Sequence, residues 1–219
     1  MSLITILVAD DHAIVRDGLK QILARTGDLV VGGEAKNGQE VLKLVRERNW
    51  DLLLMDMSMP GRNGIDLIKQ VKAEQPRLPI LVLSMHQEHQ YAVRAIRAGA
   101  SGYLNKDSAS ELLVSAIRKV VSGGVFVSEA AAELLARDTR RGADVPPHTL
   151  LSDREFQVFS MIVQGRTVTD IAAELNLSVK TVSTHKLHVL EKMRCSNQAE
   201  LVRYAIEHQL LDDQSPTPD

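Results

Sequence analysis

The sequence lacks the features that mark secreted, membrane-spanning and strongly basic proteins. Its 219 residues contain one cysteine, Cys195, which excludes an internal disulfide framework and is typical of a reducing compartment. No apolar run approaches the roughly 18 residues that a membrane span requires. Residues 1–6 carry no basic leader, so we expect no secretory signal. The net charge of −2 means that any nucleic-acid binding must come from a local patch. These absences predict a cytoplasmic protein without a membrane association.

The first half of the chain alternates short apolar runs with amphipathic segments. With 44% hydrophobic and 25% charged residues, the chain can build a core, which excludes collagen-like and wholly disordered proteins. The apolar runs are Ile4–Ala9, Leu29–Gly33, Leu52–Met55, Ile80–Leu83 and Gly102–Leu104. Helical patterns follow each run, at Ile14–Leu23, Glu40–Arg48, Ile65–Glu74, Tyr91–Ala98 and Glu111–Val121. This alternation predicts an α/β domain with a five-stranded parallel sheet and helices on both faces.

The second half of the chain shows helical patterns only. Ala130–Arg137 is predicted as a helix, and the prolines and mixed charges of Asp138–His148 predict a solvated linker. Further helices are predicted at Asp153–Val163, Val168–Glu174, Val179–Met193 and Gln198–His208. We therefore expect an α/β domain over residues 1–123, a helix and linker over 124–148, an all-α domain over 149–211 and a disordered tail over 212–219.

Polar residues follow four of the five predicted strands. They are Asp10 and Asp11 after the first strand, Asp56 after the third, Ser84 after the fourth, and Asn105 and Lys106 after the fifth. Because the carboxyl ends of parallel strands share one edge of a sheet, we expect these side chains to meet. A single Asp after a strand is more often a helix N-cap, so the prediction depends on the whole set. Clustered carboxylates repel one another, and Mg²⁺ with oxygen ligands relieves the repulsion. A remaining carboxylate can then attack phosphorus, while Lys106 and Ser84 bind phosphoryl oxygens.

Four motifs in this half resemble the receiver domain of bacterial two-component response regulators. They are Val8-Ala9-Asp10-Asp11-His12, the run from Leu54 to Gly64, Leu83-Ser84, and the run from Ala98 to Lys106. The resemblance implies a flavodoxin-like strand order, 2-1-3-4-5. One departure is Asp107, which stands where many receivers carry a proline after the lysine.

The receiver resemblance also implies a role for each polar residue. Asp56 would accept a phosphoryl group from a sensor histidine kinase, and Lys106 would bind that group. Ser84 and Tyr103 would form a switch pair that responds to phosphorylation. The implied Mg²⁺ ligands are Asp10, Asp11, Asp56 and the backbone carbonyl of Ser58.

A helix–turn–helix pattern lies within the second half, at Thr167–Met193. Thr167 and Ser178 are N-cap residue types, and each precedes one of the two helices. The segment Ser178–Arg194 contains four basic residues and one acidic residue, which suits DNA phosphates, although a solvated helix face would look the same. The side chains expected to face inward are Val179, Val182, Val189, Leu190 and Met193. Those expected to face outward are Ser183, Thr184, His185, Lys186 and Leu187. Such a helix can enter a major groove.

This half resembles the LuxR-type DNA-binding domain. The matching motifs are Leu151 to Glu155, Ile171 to Leu175, Leu177 to His185 and Ala199 to Ala205. Together with the receiver motifs, they identify the chain as a member of the NarL/FixJ class of response regulators. The resemblance implies phosphate contacts from Lys180, Thr181, His185 and Lys186, and base-edge positions for Ser183, Thr184 and Leu187. It further implies that phosphorylation promotes a homodimer that binds double-stranded promoter DNA.

Two other functions fit parts of the sequence. The first is a DNA-binding regulator whose receiver works without phosphorylation, which the intact Asp11, Asp56 and Lys106 disfavour. The second is an enzyme, a phosphatase of the haloacid dehalogenase type, which also uses an Asp at a strand end. That class needs a second Asp two residues later, where this chain has Ser58. The sequence therefore favours a transcription regulator over an enzyme.

Overall fold

A computed structural model describes residues 3–59, 64–84, 89–106, 109–138, 146–208 and 210. Asp107, most of the predicted linker and the predicted tail lie outside these residues. The chain divides into two compact units between Ala136 and Arg137. Each unit is built from one of the two sequence patterns, α/β in the first and helical in the second.

The first unit contains a parallel sheet with the strand order β2-β1-β3-β4-β5. The strands are β1 (Ile4–Ala9), β2 (Leu29–Ala35), β3 (Leu52–Asp56), β4 (Ile80–Ser84) and β5 (Gly102–Asn105). Every residue of β3 and β4 is buried, because helices cover both faces of the sheet. This confirms the predicted five-stranded parallel sheet and its flavodoxin-like order.

Helices on the two faces of the sheet enclose two separate apolar clusters. The helices of this part of the chain are α1 (Ala13–Ala24), α2 (Gly38–Glu47), α3 (Gly64–Glu74), α4 (His89–Arg97), α5 (Ala109–Val121) and α6 (Glu129–Asp138). Alternate residues of β3 point to opposite faces. Leu53 and Met55 join the cluster under α2, α3 and α4, whereas Leu52 and Leu54 join the cluster under α1 and α5. The helices cover the faces of the sheet but leave the carboxyl ends of its strands for polar residues.

All the regular secondary structure in the described residues of the second unit is helical. After a 3-10 helix at Pro147–Leu150, it contains α7 (Asp153–Val163), α8 (Val168–Glu174), α9 (Val179–Met193) and α10 (Gln198–Glu207). Side-chain caps from Ser152, Thr167 and Ser178 fix the starts of α7, α8 and α9. Asn176 has a φ of 53°, so the turn between α8 and α9 is closed by a residue that tolerates the left-handed conformation.

Two expectations about burial in this unit are wrong. Val179 is 50% exposed, although the helical pattern placed it on the inward face. It is the first residue of α9, and half of its surface is open to solvent at this end of the helix. His148 was expected in a solvated linker, yet it is buried at 5% exposure and its Nδ1 lies 2.9 Å from the hydroxyl of Tyr204 on α10.

No described helix has the length and apolar character that crossing a membrane would require.

Candidate functional site

Three carboxylates meet at the carboxyl edge of the sheet in the first unit. Asp10 and Asp11 follow β1, and Asp56 is the last residue of β3. Asp10 and Asp56 are only 1% and 2% exposed, whereas Asp11 is partly open to solvent. Ligand atoms of these three residues and His12 all lie within 4.8 Å of one another. The structure thus brings the predicted acidic residues into one pocket.

Lys106 places its ammonium between two of these carboxylates. Its Nζ is 2.8 Å from Asp10 Oδ2 and 3.1 Å from Asp56 Oδ2. Burial opposes the charged ammonium, but the hydrogen bond to Asp10 and the charge of Asp56 outweigh it and raise the pKa of Lys106. Burial raises the pKa of Asp56. The charge of Lys106 lowers this pKa and the charge of Asp10 raises it, so that it lies above the ordinary value for an aspartate. The pocket therefore holds a buried carboxylate beside a firmly charged lysine.

Backbone groups orient the buried carboxylates. The N–H of His12 donates to Asp10 Oδ1 at 2.8 Å, and the N–H of Ser58 donates to Asp56 Oδ1 at 3.2 Å. These local turns fix the two carboxylates, and each retains its second oxygen for Lys106.

Arg16 on α1 holds the backbone at Asp10 and the side chain of Glu34, a role that was not predicted from the sequence. Its Nη1 donates to the backbone carbonyl of Asp10 at 2.8 Å, and its Nε donates to Glu34 on β2 at 3.0 Å. The available signal was its spacing, because Arg16 lies on the same helical face as the buried Leu19 and Leu23. A cation on an apolar helix face is a sign of a buried partner.

One carboxylate oxygen of Asp11 is suited to bind a metal ion. Asp11 Oδ1 is buried and accepts no hydrogen bond from any described residue, although the His12 ring approaches it to 3.1 Å. A buried carboxylate oxygen without a donor is costly, and a hard divalent cation would satisfy it. The oxygen-rich set of Asp10, Asp11 and Asp56 fits Mg²⁺ better than a soft metal.

The predicted switch residues lie on adjacent strands. Ser84 ends β4 opposite Asn105, and Tyr103 lies two residues earlier on β5, opposite Val82. Both Ser84 and Tyr103 are fully buried. Tyr103 packs in the apolar cluster under α2, α3 and α4.

Helix α9 of the second unit presents most of the residues predicted to contact DNA. Val182, Val189 and Met193 are buried against the other helices. The side chains that are exposed on α9 include Lys180, Thr181, Ser183, Thr184 and Leu187, whereas His185 and Lys186 are half-buried. The outward positions of the exposed residues follow from the helical period.

Several of these α9 side chains already have partners within the protein. Ser183 Oγ donates to the carbonyl of Val179 at 2.8 Å, and Thr184 Oγ1 donates to the carbonyl of Lys180 at 3.0 Å. Lys186 Nζ donates to Gln198 Oε1 at 3.0 Å. The side chains are therefore held in defined positions before any ligand arrives.

His185 is less available than the sequence suggested. Its Nδ1 is buried and has no hydrogen-bond partner in the described part of the chain. Burial, followed by the charge of Arg154, lowers the pKa of His185, so the ring is predominantly neutral at neutral pH.

Lys192 serves the fold of this unit. Its Nζ is 2.6 Å from Oε2 of Glu155, and the same oxygen accepts the N–H of Ser152 at 2.7 Å. Lys192 was counted in the basic balance of the helix, but its charge is matched within the protein. The basic patch is accordingly smaller than the sequence indicated.

Comparisons with known proteins match both units. The model of the response regulator receiver domain matches residues 6–118, and that of bacterial regulatory proteins of the luxR family matches residues 149–205. Response regulator UvrY of Escherichia coli is 35% identical over 211 residues, which span 96% of this chain and 97% of that protein. Response regulator GacA of Pseudomonas aeruginosa is 36% identical over 211 residues, spanning 96% and 99%.

Solved structures agree with this assignment. The RcsB response regulator of Salmonella typhimurium has a TM-score of 0.67 at 29% identity, covering 94% of this chain and 98% of that one. A structure of the RcsB–DNA complex has a TM-score of 0.58 at 29% identity, with coverage of 94% and 98%. This chain belongs to the two-component response regulators of the NarL/FixJ class, transcription regulators that join a receiver domain to a LuxR-type DNA-binding domain.

Proposed function

We propose that Asp56 accepts a phosphoryl group from a phosphohistidine of a sensor kinase, and that this controls DNA binding by α9. The observation that supports the first step is the position of Lys106, whose Nζ contacts both Asp10 and Asp56. Asp56 is buried in the pocket, and its contacts with the Ser58 N–H and with Lys106 orient its two carboxyl oxygens.

The transfer forms one bond and breaks one. A carboxylate oxygen of Asp56 attacks phosphorus, the P–O bond forms, and the P–N bond of the phosphohistidine breaks. The imidazole leaves with the electron pair of that bond. Lys106 is placed to bind a phosphoryl oxygen, because its ammonium already lies 3.1 Å from Asp56 Oδ2. Ser84, at the end of the neighbouring strand, would bind a second oxygen and pass the change to Tyr103.

Asp10, Asp11, Asp56 and the backbone carbonyl of Ser58 would hold Mg²⁺. The orphan oxygen of Asp11 and the all-oxygen donor set support this choice of ion. When bound, Mg²⁺ supplies positive charge that offsets the carboxylates and the phosphoryl oxygens. The residues of the chain provide the attacking oxygen and the orientation.

The second unit would bind double-stranded promoter DNA as a dimer. The exposed residues of α9, its capped start at Ser178 and the adjoining α8 form the helix–turn–helix geometry that enters a major groove. The relative RcsB has been solved in complex with DNA and as dimers on DNA. Lys180, Thr181 and Lys186 are the candidates for phosphate contacts, and His185 contributes from the edge of the face.

A phosphatase of the haloacid dehalogenase type is disfavoured by Ser58. The position two residues after Asp56 carries no carboxylate, and the Ser58 backbone N–H serves to orient Asp56. We therefore propose that the chain stores a phosphoryl group as a signal and is not a hydrolytic enzyme.

The assignment of Asp56 is tested by phosphorylation with acetyl phosphate and Mg²⁺, followed by intact-mass analysis. The wild type should gain one phosphoryl group, and Asp56→Asn should gain none. Asp66→Asn is the matched control, because Asp66 is an exposed acid in the first turn of α3. Equal phosphorylation of Asp56→Asn and the control would contradict the assignment. A gel-shift assay with and without phosphorylation then tests whether phosphorylation controls DNA binding.

A further inference from the structure

The outward side of the first half of α9 presents five residues that we call the groove face: Val179, Lys180, Ser183, Thr184 and Leu187. They repeat every three or four positions, opposite the buried Val182 and Val189. Glu191 continues the same side and is exposed, so it would repel DNA phosphates. The groove face is therefore confined to the N-terminal half of the helix, which is the half that contacts base edges in helix–turn–helix proteins.

The groove face has few hydrogen-bond donors to offer a base. A hydroxyl has one hydrogen, and both hydroxyls on this face give theirs to backbone carbonyls one turn earlier. Ser183 Oγ donates to Val179 at 2.8 Å, and Thr184 Oγ1 donates to Lys180 at 3.0 Å. Both residues are exposed, so their oxygens remain available as acceptors, and Lys180 is the charged donor among these five residues.

The groove face exposes two large apolar side chains in place of further donors. Val179 is 50% exposed and Leu187 is 55% exposed. In the major groove, guanine presents two acceptors and needs donors, whereas thymine presents a methyl group. Adenine and cytosine present an amino group, which an acceptor can bind.

We propose that the groove face recognises thymine methyl groups through Leu187 and Val179, while Ser183 and Thr184 accept hydrogen bonds from adenine or cytosine amino groups. This inference rests on the proposed DNA-binding function and specifies its base preference. A half-site for this chain then has thymine at the positions contacted by Leu187 and Val179 and adenine or cytosine at those contacted by Ser183 and Thr184, and guanine is disfavoured at the contacted positions.

Replacement of thymine by deoxyuracil tests the proposal, because it removes only the methyl group and keeps the base pair. The full-length phosphorylated chain first selects a binding site from a random duplex library. Each thymine of that site is then replaced singly, and the dissociation constant is measured. At one or two positions, the loss of one buried methyl should weaken wild-type binding roughly four-fold.

Variants assign the effect to the side chains. Leu187→Ala should bind the thymine site more weakly and no longer distinguish thymine from deoxyuracil at its position, and Val179→Ala should do the same at a second position. Leu150→Ala is the matched control, because Leu150 is equally exposed but lies outside α9, and it should keep the wild-type discrimination. Leu187→Lys, which adds a donor, should shift the selected base towards guanine.

Three results overturn the proposal, and they distinguish a failure of methyl recognition from a failure of DNA binding. If the wild type selects a defined site but tolerates deoxyuracil at every thymine, methyl recognition is wrong and the DNA-binding function stands. The same holds if Leu187→Ala and Val179→Ala both retain the wild-type discrimination. If the phosphorylated chain selects no site at all, the DNA-binding function itself fails, and the inference fails with it.

Discussion

Glu155 of α7 accepts a hydrogen bond from Lys192 of α9 over 2.6 Å. Glu155 is buried, and it also completes the capping box of α7 with Ser152. Burial raises its pKa, but the contacts from Lys192 and Ser152 prevail and hold the pKa of Glu155 below its ordinary value. One carboxylate therefore caps the start of α7 and links this helix to α9.

Removal of this contact should destabilise the DNA-binding unit. Lys192→Met leaves a buried carboxylate without its cation, and we expect the free energy of unfolding to fall by about 1–2 kcal/mol. Lys180→Met is the control on the same helix, because Lys180 is exposed, and it should change stability by less than about 0.5 kcal/mol. Urea unfolding followed by circular dichroism measures both. Equal stability of the two variants would contradict the role of Glu155.

The stability of the DNA-binding unit should also decrease as the pH decreases. The pKa of His185 is lowered in the folded chain by burial and by Arg154, so the folded state binds fewer protons than the unfolded state. The unfolding free energy should decrease as pH falls through about 6.5, the ordinary value for histidine, towards the lower folded pKa. A second decrease is expected below about 4.3, where the unfolded Glu155 begins to bind protons.

Urea titrations at neutral and mildly acidic pH check the first of these decreases. His185→Gln cannot gain a proton, so the difference between the two pH values should shrink in that variant. An unchanged difference would assign the pH dependence to other groups.

Gly64 should be intolerant of a side chain, whereas Gly18 should accept one. A Cβ on Gly64 would lie 2.6 Å from the backbone oxygen of Met57 and would also strike the Met57 sulfur. Met57 directly follows Asp56, so Gly64→Ala should cost about 1–3 kcal/mol and slow phosphorylation. Gly18→Ala lies within α1 with no atom within 4 Å of the new methyl, and should stabilise the chain by about 0.5–1 kcal/mol. Thermal unfolding and the acetyl phosphate assay distinguish the pair, and similar behaviour would refute the prediction.

Lys186 and Lys192 should differ in their effect on DNA binding. Lys186 is held by the neutral Gln198 and keeps its full charge for a phosphate, so Lys186→Ala should weaken binding to all sequences alike. The slope of log K against log salt should become shallower by about one. Lys192→Met should leave the slope unchanged, because the charge of Lys192 is matched by Glu155. Fluorescence anisotropy over a salt series measures both slopes, and a loss confined to one base pair would show that Lys186 contacts a base.

The sequence was informative where local chemistry decides the structure. The starts of α8 and α9 were predictable because Thr167 and Ser178 are capping residues, and Ser152 caps α7 in the same way. The acidic pocket was predictable because polar residues interrupt apolar strands at one edge of a parallel sheet. The lengths of the strands were harder to predict, because Asp56 and Ser84 extend β3 and β4 by one residue beyond the apolar runs.

The errors arose where contacts between distant residues decide the structure. His148 is buried because Tyr204 provides a hydroxyl partner, and a partner so distant in sequence leaves no local pattern. Arg16 was overlooked because its acceptor is a backbone carbonyl, which every residue has. The spacing of Val179 matches that of the buried residues of α9. Periodicity predicts the side of the helix on which a residue lies, but it does not predict how well each turn of that side is covered by other helices.

The position of Lys106 between Asp10 and Asp56 has a consequence for biosynthesis. The two acids enter the sheet with β1 and β3, but the ammonium that offsets their repulsion arrives only after β5, at the edge of the sheet. A receiver truncated before this residue would lack the cation that offsets the two carboxylates, and we expect it to fold less stably. With Asp56 as the proposed phosphoacceptor, we expect such a truncated chain to react poorly with a phosphodonor, because the ammonium placed to bind a phosphoryl oxygen is missing.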